Sequence, residues 1–224
     1  MPTPDVIAID GPVASGKTTV GRALARRLGY RFVDTGLMYR ALTVLALREG
    51  IDLGDAEALG RLAAATEIAL DDVAEGPTHV RAGGEELTAE VRTPQVEDAV
   101  SLVSQVATVR DAMVAQQQRI AQGGRVVMVG RDIGTKVLPD AAKVYLDASV
   151  DERVRRRLAE VAKVGEPPAG GEGEVRENVK TRDRIDSQRE EGPLRAADDA
   201  LRVATEGLDV DGVVDYVIER LETA

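Results

Sequence analysis

The residues best suited to chemistry lie close to the start of the chain. Gly11-Pro12-Val13-Ala14-Ser15-Gly16-Lys17-Thr18 fits the phosphate-binding P-loop pattern, two glycines followed by Lys and Thr at the required spacing. Glycine tolerates backbone conformations that a side chain blocks, so successive N–H groups here can line a concave nest for phosphate oxygens. Lys17 supplies a point charge, and Thr18 a hydroxyl for a phosphate-bound magnesium ion. An ordinary Gly-rich turn is the competing reading. It is disfavoured by context: the apolar run Val6 to Ile9 precedes the loop and a helical pattern follows, so the dipole of a helix starting at Lys17 adds positive charge at the same spot.

The elements around this loop must position it. Val20, Ala23, Leu24 and Leu28 recur at helical spacing and Gly29 stops that helix, after which Tyr30 to Val33 reads as a strand. Strand, loop, helix and strand make a βαβ unit, so the fold class is α/β with a parallel sheet and right-handed crossovers. Asp34-Thr35-Gly36 falls at the carboxyl end of the second strand, where open α/β sheets bind ligands. Asp34 is therefore a site candidate, although it or Thr35 would equally serve as N-cap for the helix Met38 to Glu49, whose first turn carries Tyr39 and Arg40. A helix is predicted from Asp55 to Thr66, then short antiparallel strands from Ile68 to Leu87 as an inserted subdomain, then helices Thr93 to Ala107 and Val109 to Gln122. Val126 to Val129 reads as a core strand delivering Gly130-Arg131-Asp132 to the same crevice, and Lys143 to Leu146 as another. Ser149 and Glu152 form a capping box for a helix bearing Arg153, Arg155, Arg156 and Arg157. The stretch Gly165 to Gly173 is too rich in Gly and Pro for regular structure, and between two arginine-bearing helices it is expected to be a closing lid. The helix Val175 to Glu191 places Arg182, Asp186 and Arg189 on one face, a spacing equally typical of a solvated, salt-bridged surface. Leu201 to Ala204 makes a poor last strand, and Asp211 to Leu221 a closing amphipathic helix.

Bulk properties narrow the function. The 224 residues, 43% hydrophobic and 30% charged, suit a globular protein with a sizeable core, and no apolar run reaches membrane-spanning length. Met1-Pro2-Thr3-Pro4-Asp5 has no signal-peptide character, so a cytoplasmic location is expected. There is no cysteine and one histidine, which removes disulfides, thiolate metal sites and thiol catalysis and leaves Lys, Arg, Asp, Ser and Thr for chemistry. A net charge of −10 argues against a nucleic-acid partner. Lysines occur only at Lys17, Lys136, Lys143, Lys163 and Lys180, whereas arginines gather at 153–157 and 182–189. Either the composition is simply biased toward arginine, or these guanidinium forks are aimed at small phosphorylated ligands.

Taken together, the motifs resemble those of the bacterial cytidylate kinases, the (d)CMP kinases of the nucleoside monophosphate kinase group. The resemblance rests on Ile9-Asp10-Gly11-Pro12 leading into the P-loop, Asp34-Thr35-Gly36 with Met38-Tyr39-Arg40, and Glu90-Val91-Arg92-Thr93. It continues through Val100-Ser101-Leu102-Val103-Ser104 with Val109-Arg110, Gly130-Arg131-Asp132-Ile133-Gly134-Thr135, and Arg182-Asp183 with Asp186 and Arg189. It implies transfer of the γ-phosphate of ATP, with Mg2+, to CMP or dCMP. Gly11 through Thr19 would hold ATP, with Arg153 and Arg157 closing on it. Arg40, Arg131 and Arg189 would hold the acceptor phosphate, near Tyr39. Ser101, Arg110 and Asp132 would read cytosine, and Arg182 and Asp186 would contact the sugar. Lys17, Asp34, Arg131 and Arg189 would carry the catalysis.

The resemblance also implies one P-loop kinase domain over 1–224, expected as a monomer. Its core would be 1–66, 108–155 and 192–224, with an acceptor-binding insertion over 67–107 and a lid with its flanking helices over 156–191. Val129 stands where these enzymes carry an acid, Ala107 where they carry proline, and Arg202 and Ala204 interrupt the final strand. Loss of the acid is expected to leave Arg131 less well oriented. A shikimate- or dephospho-coenzyme A-type kinase, and a non-catalytic ATP-dependent regulator, are the alternatives.

Overall fold

The computed structural model describes residues 3–73, 76–164 and 170–223. Five parallel strands form the central sheet in the order β2-β6-β1-β7-β8: β1 (Val6–Asp10), β2 (Arg31–Asp34), β6 (Val126–Gly130), β7 (Ala142–Asp147) and β8 (Leu201–Ala204). Every residue of β6 is buried, as a continuous apolar run between two covered faces requires. Register matters for the site. Asp10 lies opposite Gly130, and Asp34 opposite Val129, so the carboxyl ends of three adjacent strands finish level at one edge.

Helices α1 (Lys17–Leu28) and α8 (Val210–Thr223) cover one face, packing Val20, Leu24, Val214 and Val217 onto Ile7, Ile9, Val127 and Val129. The other face packs Ala8, Val33 and Met128 against Ile133, Val137 and Ala121. A further apolar cluster lies away from the sheet. It joins α2 (Thr35–Arg48), α3 (Ala56–Ala65), α4 (Pro94–Val103) and α5 (Ala107–Ala121) to a small antiparallel sheet of β3 (Ile68–Asp71), β4 (His79–Ala82) and β5 (Glu85–Glu86). Gly83 and Gly84, both at positive φ, make the tight β4–β5 turn.

Several boundaries differ from the sequence expectation for local reasons. The predicted helix Thr93–Ala107 stops at Val103, because the Ser104 hydroxyl and the Gln105 amide both donate to the Ser101 carbonyl and divert the backbone. Helix α6 spans Val150–Val164, and α7 runs Gly171–Gln188 instead of Val175–Glu191. Glu172 and Glu174 favour the early start by placing negative charge in the first turn, and the Glu174 carboxylate accepts from the Gly170 N–H at 2.8 Å. The Gly-rich loop is thus shorter at its carboxyl end than expected, and residues 165–169 of it lie outside the described residues. Leu201–Ala204 is a true edge strand. Paired on one side only, it buries Val203 and exposes Arg202 and Ala204, so the polar interruption faces solvent.

Candidate active site

At the end of β1 the backbone turns into the P-loop with positive φ at Gly11, Ala14 and Gly16. A Cβ on Gly11 would strike the Leu146 carbonyl oxygen, so only glycine lets β1 and β7 close at this point. Gly16 is the N-cap of α1 and offers no side chain to its first N–H groups, which suits a helix end meant for an anion. Lys17 is buried and folded back, its Nζ donating to the Pro12 carbonyl at 2.6 Å and to Ser15 Oγ at 3.3 Å. Burial, reinforced by the nearby Arg131 cation, pushes the Lys17 ammonium well below its usual range, against the pull of Asp34 and Asp10.

Asp34 is the N-cap of α2 and also meets the P-loop. One oxygen caps α2 by accepting from the Gly36 N–H at 3.0 Å; the other accepts from the Thr18 hydroxyl at 2.8 Å. Asp10, which the sequence reading used only as a family marker, is buried and accepts from the Ile133 and Gly134 N–H groups, both at 2.8 Å. It thereby fixes the π-type turn Ile133–Val137 that follows Arg131-Asp132. Burial raises its carboxyl to about 6, although those two donors pull it down.

Across the cleft, buried side chains are paired. Asp132 accepts from Arg110 and, at 3.2 Å, from Arg189, while the Arg110 guanidinium lies 5.7 Å from the Tyr39 ring centre. Gly192, at positive φ, closes over this pair so tightly that a Cβ would strike Asp132. Nothing in the sequence singled Gly192 out. Arg131 Nε donates to Asp186 at 2.8 Å, and this carboxylate outweighs burial to hold the guanidinium charged. In return Asp186 stays below its usual range: burial would raise it, but Arg131 and Arg189 prevail. The Arg189 guanidinium reaches this site because the chain leaves α7 in extended form and its Nε donates to the Gly192 carbonyl.

Arg40 from α2, Arg157 from α6 and Arg182 from α7 converge on the carboxylate of Glu97 in α4. Burial would raise that carboxyl, yet Arg182, Arg40 and Arg157 together hold it at about 2. Sequence reasoning missed Glu97, which looks like an ordinary acid in a helix first turn. Ser101 lines the same cleft together with Lys17, Thr18, Asp34, Arg131 and Asp132.

One expected site residue stands apart from the others. Arg153 does not line this cleft: it pairs with Asp183 at 2.7 Å and donates to the Ala148 and Val13 carbonyls, so its charge is used to brace the P-loop against α6 and α7. Arg156 has a better view of the loop. It donates to the Ser15 carbonyl at 3.2 Å and to Thr205, and lines a neighbouring hollow with Ala14, Gly16, Thr19 and Leu208. Val129 is buried, and Arg131, which the missing acid was expected to leave loose, is held by Asp186.

Residues 7–223 match the family model described as cytidylate kinase. The cytidylate kinase of Pelotomaculum thermopropionicum is 46% identical over 216 residues, covering 96% of this chain and 95% of that protein. That of Geobacillus kaustophilus is 47% identical over 214 residues, covering 95% and 94%. Among solved structures, an uncharacterized protein from Eubacterium ventriosum superposes with a TM-score of 0.54 at 13% identity, covering 98% of this chain and 99% of that one, which speaks for the fold alone. Because the match runs unbroken through the P-loop, the small antiparallel sheet and both arginine-bearing helices, the chain belongs to the cytidylate kinase family.

Proposed function

We infer that this chain transfers the γ-phosphate of ATP to CMP or dCMP, giving ADP and CDP or dCDP. The observation that supports this most directly is a single cleft with a P-loop at one end, the Arg110–Asp132 pair at the other, and arginines between. Phosphoryl transfer asks for alignment and charge stabilisation more than for a strong base, and this chain supplies both. The loop Gly11 to Thr19 holds the donor's phosphates, with Lys17 exchanging the Pro12 carbonyl for phosphate oxygen. Arg131 and Arg189, with Arg40, hold the acceptor phosphate beside Tyr39, while Asp34 orients the attacking group. Arg182 and Asp186 contact the sugar. Arg157 follows the lid onto ATP, excluding water that would waste the phosphoryl group.

Mg2+ suits the donor set present. The Thr18 hydroxyl and Asp34 carboxylate lie 2.8 Å apart at the loop, and both are hard oxygen ligands. Among the described residues no group of three or more His, Cys, Asp or Glu forms a cage of its own, as fits an ion held largely by phosphates and water. When bound, the ion neutralises phosphate charge.

For the base, Asp132 accepts from the cytosine N4 amino group, where uracil would present an oxygen; Arg110 and Ser101 meet the remaining edge. The chain acts as one kinase domain, with 67–107 as acceptor-binding insertion and 156–191 as lid. We read it as a cytoplasmic monomer without membrane partners, and the net charge of −10 speaks against a nucleic-acid partner; among the described residues no helix is long and apolar enough to cross a membrane. ADP release measured with each nucleoside monophosphate, shikimate and dephospho-coenzyme A tests the reading. CMP and dCMP should give the highest kcat/KM; a higher value with any other acceptor, or ATP binding without acceptor-stimulated turnover, overturns it.

A further inference from the structure

Glu97 joins four helices at one point. Its Oε1 accepts from Arg182 and forms an ion pair with Arg157 at 3.0 Å, and its Oε2 accepts from Arg40, so one carboxylate on α4 gathers arginines from α2, α6 and α7. The cluster is short of acceptors. Among the described residues, three guanidinium groups meet on the Glu97 carboxylate, only Arg157 having a second acid, Glu160 at 3.0 Å, and Arg182 Nε is buried without a hydrogen-bond partner. Arg40 is committed as well, its second terminal nitrogen donating to the Val91 carbonyl at 3.1 Å. A phosphate monoester, with more oxygens and nearly twice the charge, fits such a cluster better than a carboxylate does.

We propose that Glu97 is a positioning residue that stands in for a substrate phosphate: it holds Arg40, Arg157 and Arg182 together while the cleft is empty and gives up that hold when a phosphate monoester engages Arg40, which frees Arg182 for the sugar and Arg157 for ATP. This rests on the reading of Arg40 and Arg182 as acceptor-side residues. Its consequence is a built-in competition. The carboxylate keeps three cations from repelling one another, and in doing so it weakens the ground-state grip on the acceptor. Because Glu97 sits on the acceptor side and Arg157 and Arg182 on the lid helices, the exchange also links acceptor arrival to movement of α6 and α7.

Glu97→Gln keeps the shape and removes the charge. In phosphate-free buffer its Tm should fall by about 4 °C or more, since the three arginines lose their counter-charge. Inorganic phosphate or sulfate should restore most of that loss while raising the wild-type Tm less, by binding the folded state. In steady-state kinetics KM for CMP should fall by about threefold, the middle of the range for removing a competing partly exposed ion pair, with kcat changing less than KM. Glu97→Asp, which keeps the charge on a shorter arm, should regain Tm without added anion and show a KM between the two; if Glu97→Gln folds only when phosphate or sulfate is present, that rescue is the expected anion effect, and failure to fold with either anion overturns the proposal. A Tm loss that phosphate and sulfate leave in place, or a KM that rises, makes Glu97 a structural brace and overturns the proposal. The anion-dependent Tm needs no turnover, so it reads the proposal even if CMP proves not to be the acceptor.

Discussion

At the end of the cleft read as the donor side the groups offered to a phosphate are backbone N–H groups, fixed by positive φ at Gly11, Ala14 and Gly16, with Lys17 and Thr18 as the added side chains. At the end read as the acceptor side Arg40, Arg110, Arg131, Arg157, Arg182 and Arg189 share four acids, Glu97, Asp132, Glu160 and Asp186. The first arrangement is rigid before any ligand arrives. The second must trade partners to bind one. A backbone nest costs little reorganisation but reads only phosphate, whereas a set of paired side chains reads charge, base and sugar at the cost of breaking ion pairs.

Removing Lys17 tests the donor end most severely. Lys17→Ala should lower kcat/KM by about 10²–10³ or more, since transition-state charge stabilisation contributes roughly 3–4 kcal/mol per group. Thermal unfolding should change little, because the lysine is a buried cation whose charge its surroundings disfavour. No single acceptor arginine should cost as much, as its neighbours share the load; near-normal turnover of Lys17→Ala would invert the comparison.

The two ends should also respond to acid with opposite sign. Glu97 drops from 4.5 unfolded to about 2 folded, so its contribution is complete above pH 4.5 and is lost as pH falls toward 2. That shift corresponds to about 3 kcal/mol. Asp10 rises from 3.8 to about 6, so the folded state holds its proton longer and stability falls as pH rises across that window. Unfolding free energies of wild type and Glu97→Gln, measured from pH 3 to 7, isolate the first term. Their difference should grow from pH 3 to about 4.5 and then stay flat; a difference already flat at pH 3 would mean that the arginines do not depress Glu97.

Val129 tests whether the acceptor end lacks an acid. It is buried against Ile9, Phe32 and Gly21, while Arg131 already has Asp186. Val129→Glu should therefore lose about 3 kcal/mol or more in denaturant unfolding, as an unpaired charge in an apolar layer does, with no gain in kcat. A faster enzyme would show that Arg131 is under-oriented after all. A smaller effect, read in specificity, is expected from Asp132→Asn, which also weakens the buried pairs with Arg110 and Arg189. The amide can turn its NH2 toward the uracil oxygen, so the CMP-to-UMP ratio of kcat/KM should fall by about tenfold or more, mainly through lost CMP activity. An unchanged ratio would shift base reading to Arg110 and Ser101.

What was legible in the sequence follows the same division. Strand, loop and helix from Val6 to Leu28 are contiguous, so spacing alone identified the P-loop and its parallel sheet. The acceptor end is assembled from segments far apart in the chain, and local spacing cannot say which arginine meets which acid. Arg153 and Arg157 lie one helical turn apart, yet Arg153 is taken by Asp183 and Arg157 by Glu97. Glu97 and Gly192 carried no local signal, since their roles exist only once α2, α4, α6 and α7 have packed. Asp10 was visible only as part of a motif, because its partners, the Ile133 and Gly134 N–H groups, arrive from another strand's end.

The mildest test concerns the joint between the two arms that carry Ser101 and Arg110. Ala107 is the first residue of α5, where an N–H has no intrahelical partner and proline's fixed φ is already helical. The preceding Val106 sits at φ −68° and ψ 120°, the extended region that a following proline demands. Ala107→Pro should thus fit without strain and, by restricting the unfolded chain, stabilise the protein by about 0.4–1 kcal/mol. Because Ser101 and Arg110 flank this joint, a stiffer turn should also hold the base-reading edge more firmly, leaving kcat unchanged and lowering KM for CMP slightly. Thermal unfolding and CMP kinetics of the variant check both; a loss of stability would mean that the turn at Ser104–Val106 needs a freedom that proline removes, and that the acceptor end depends on a moving joint as well as on exchanging ion pairs.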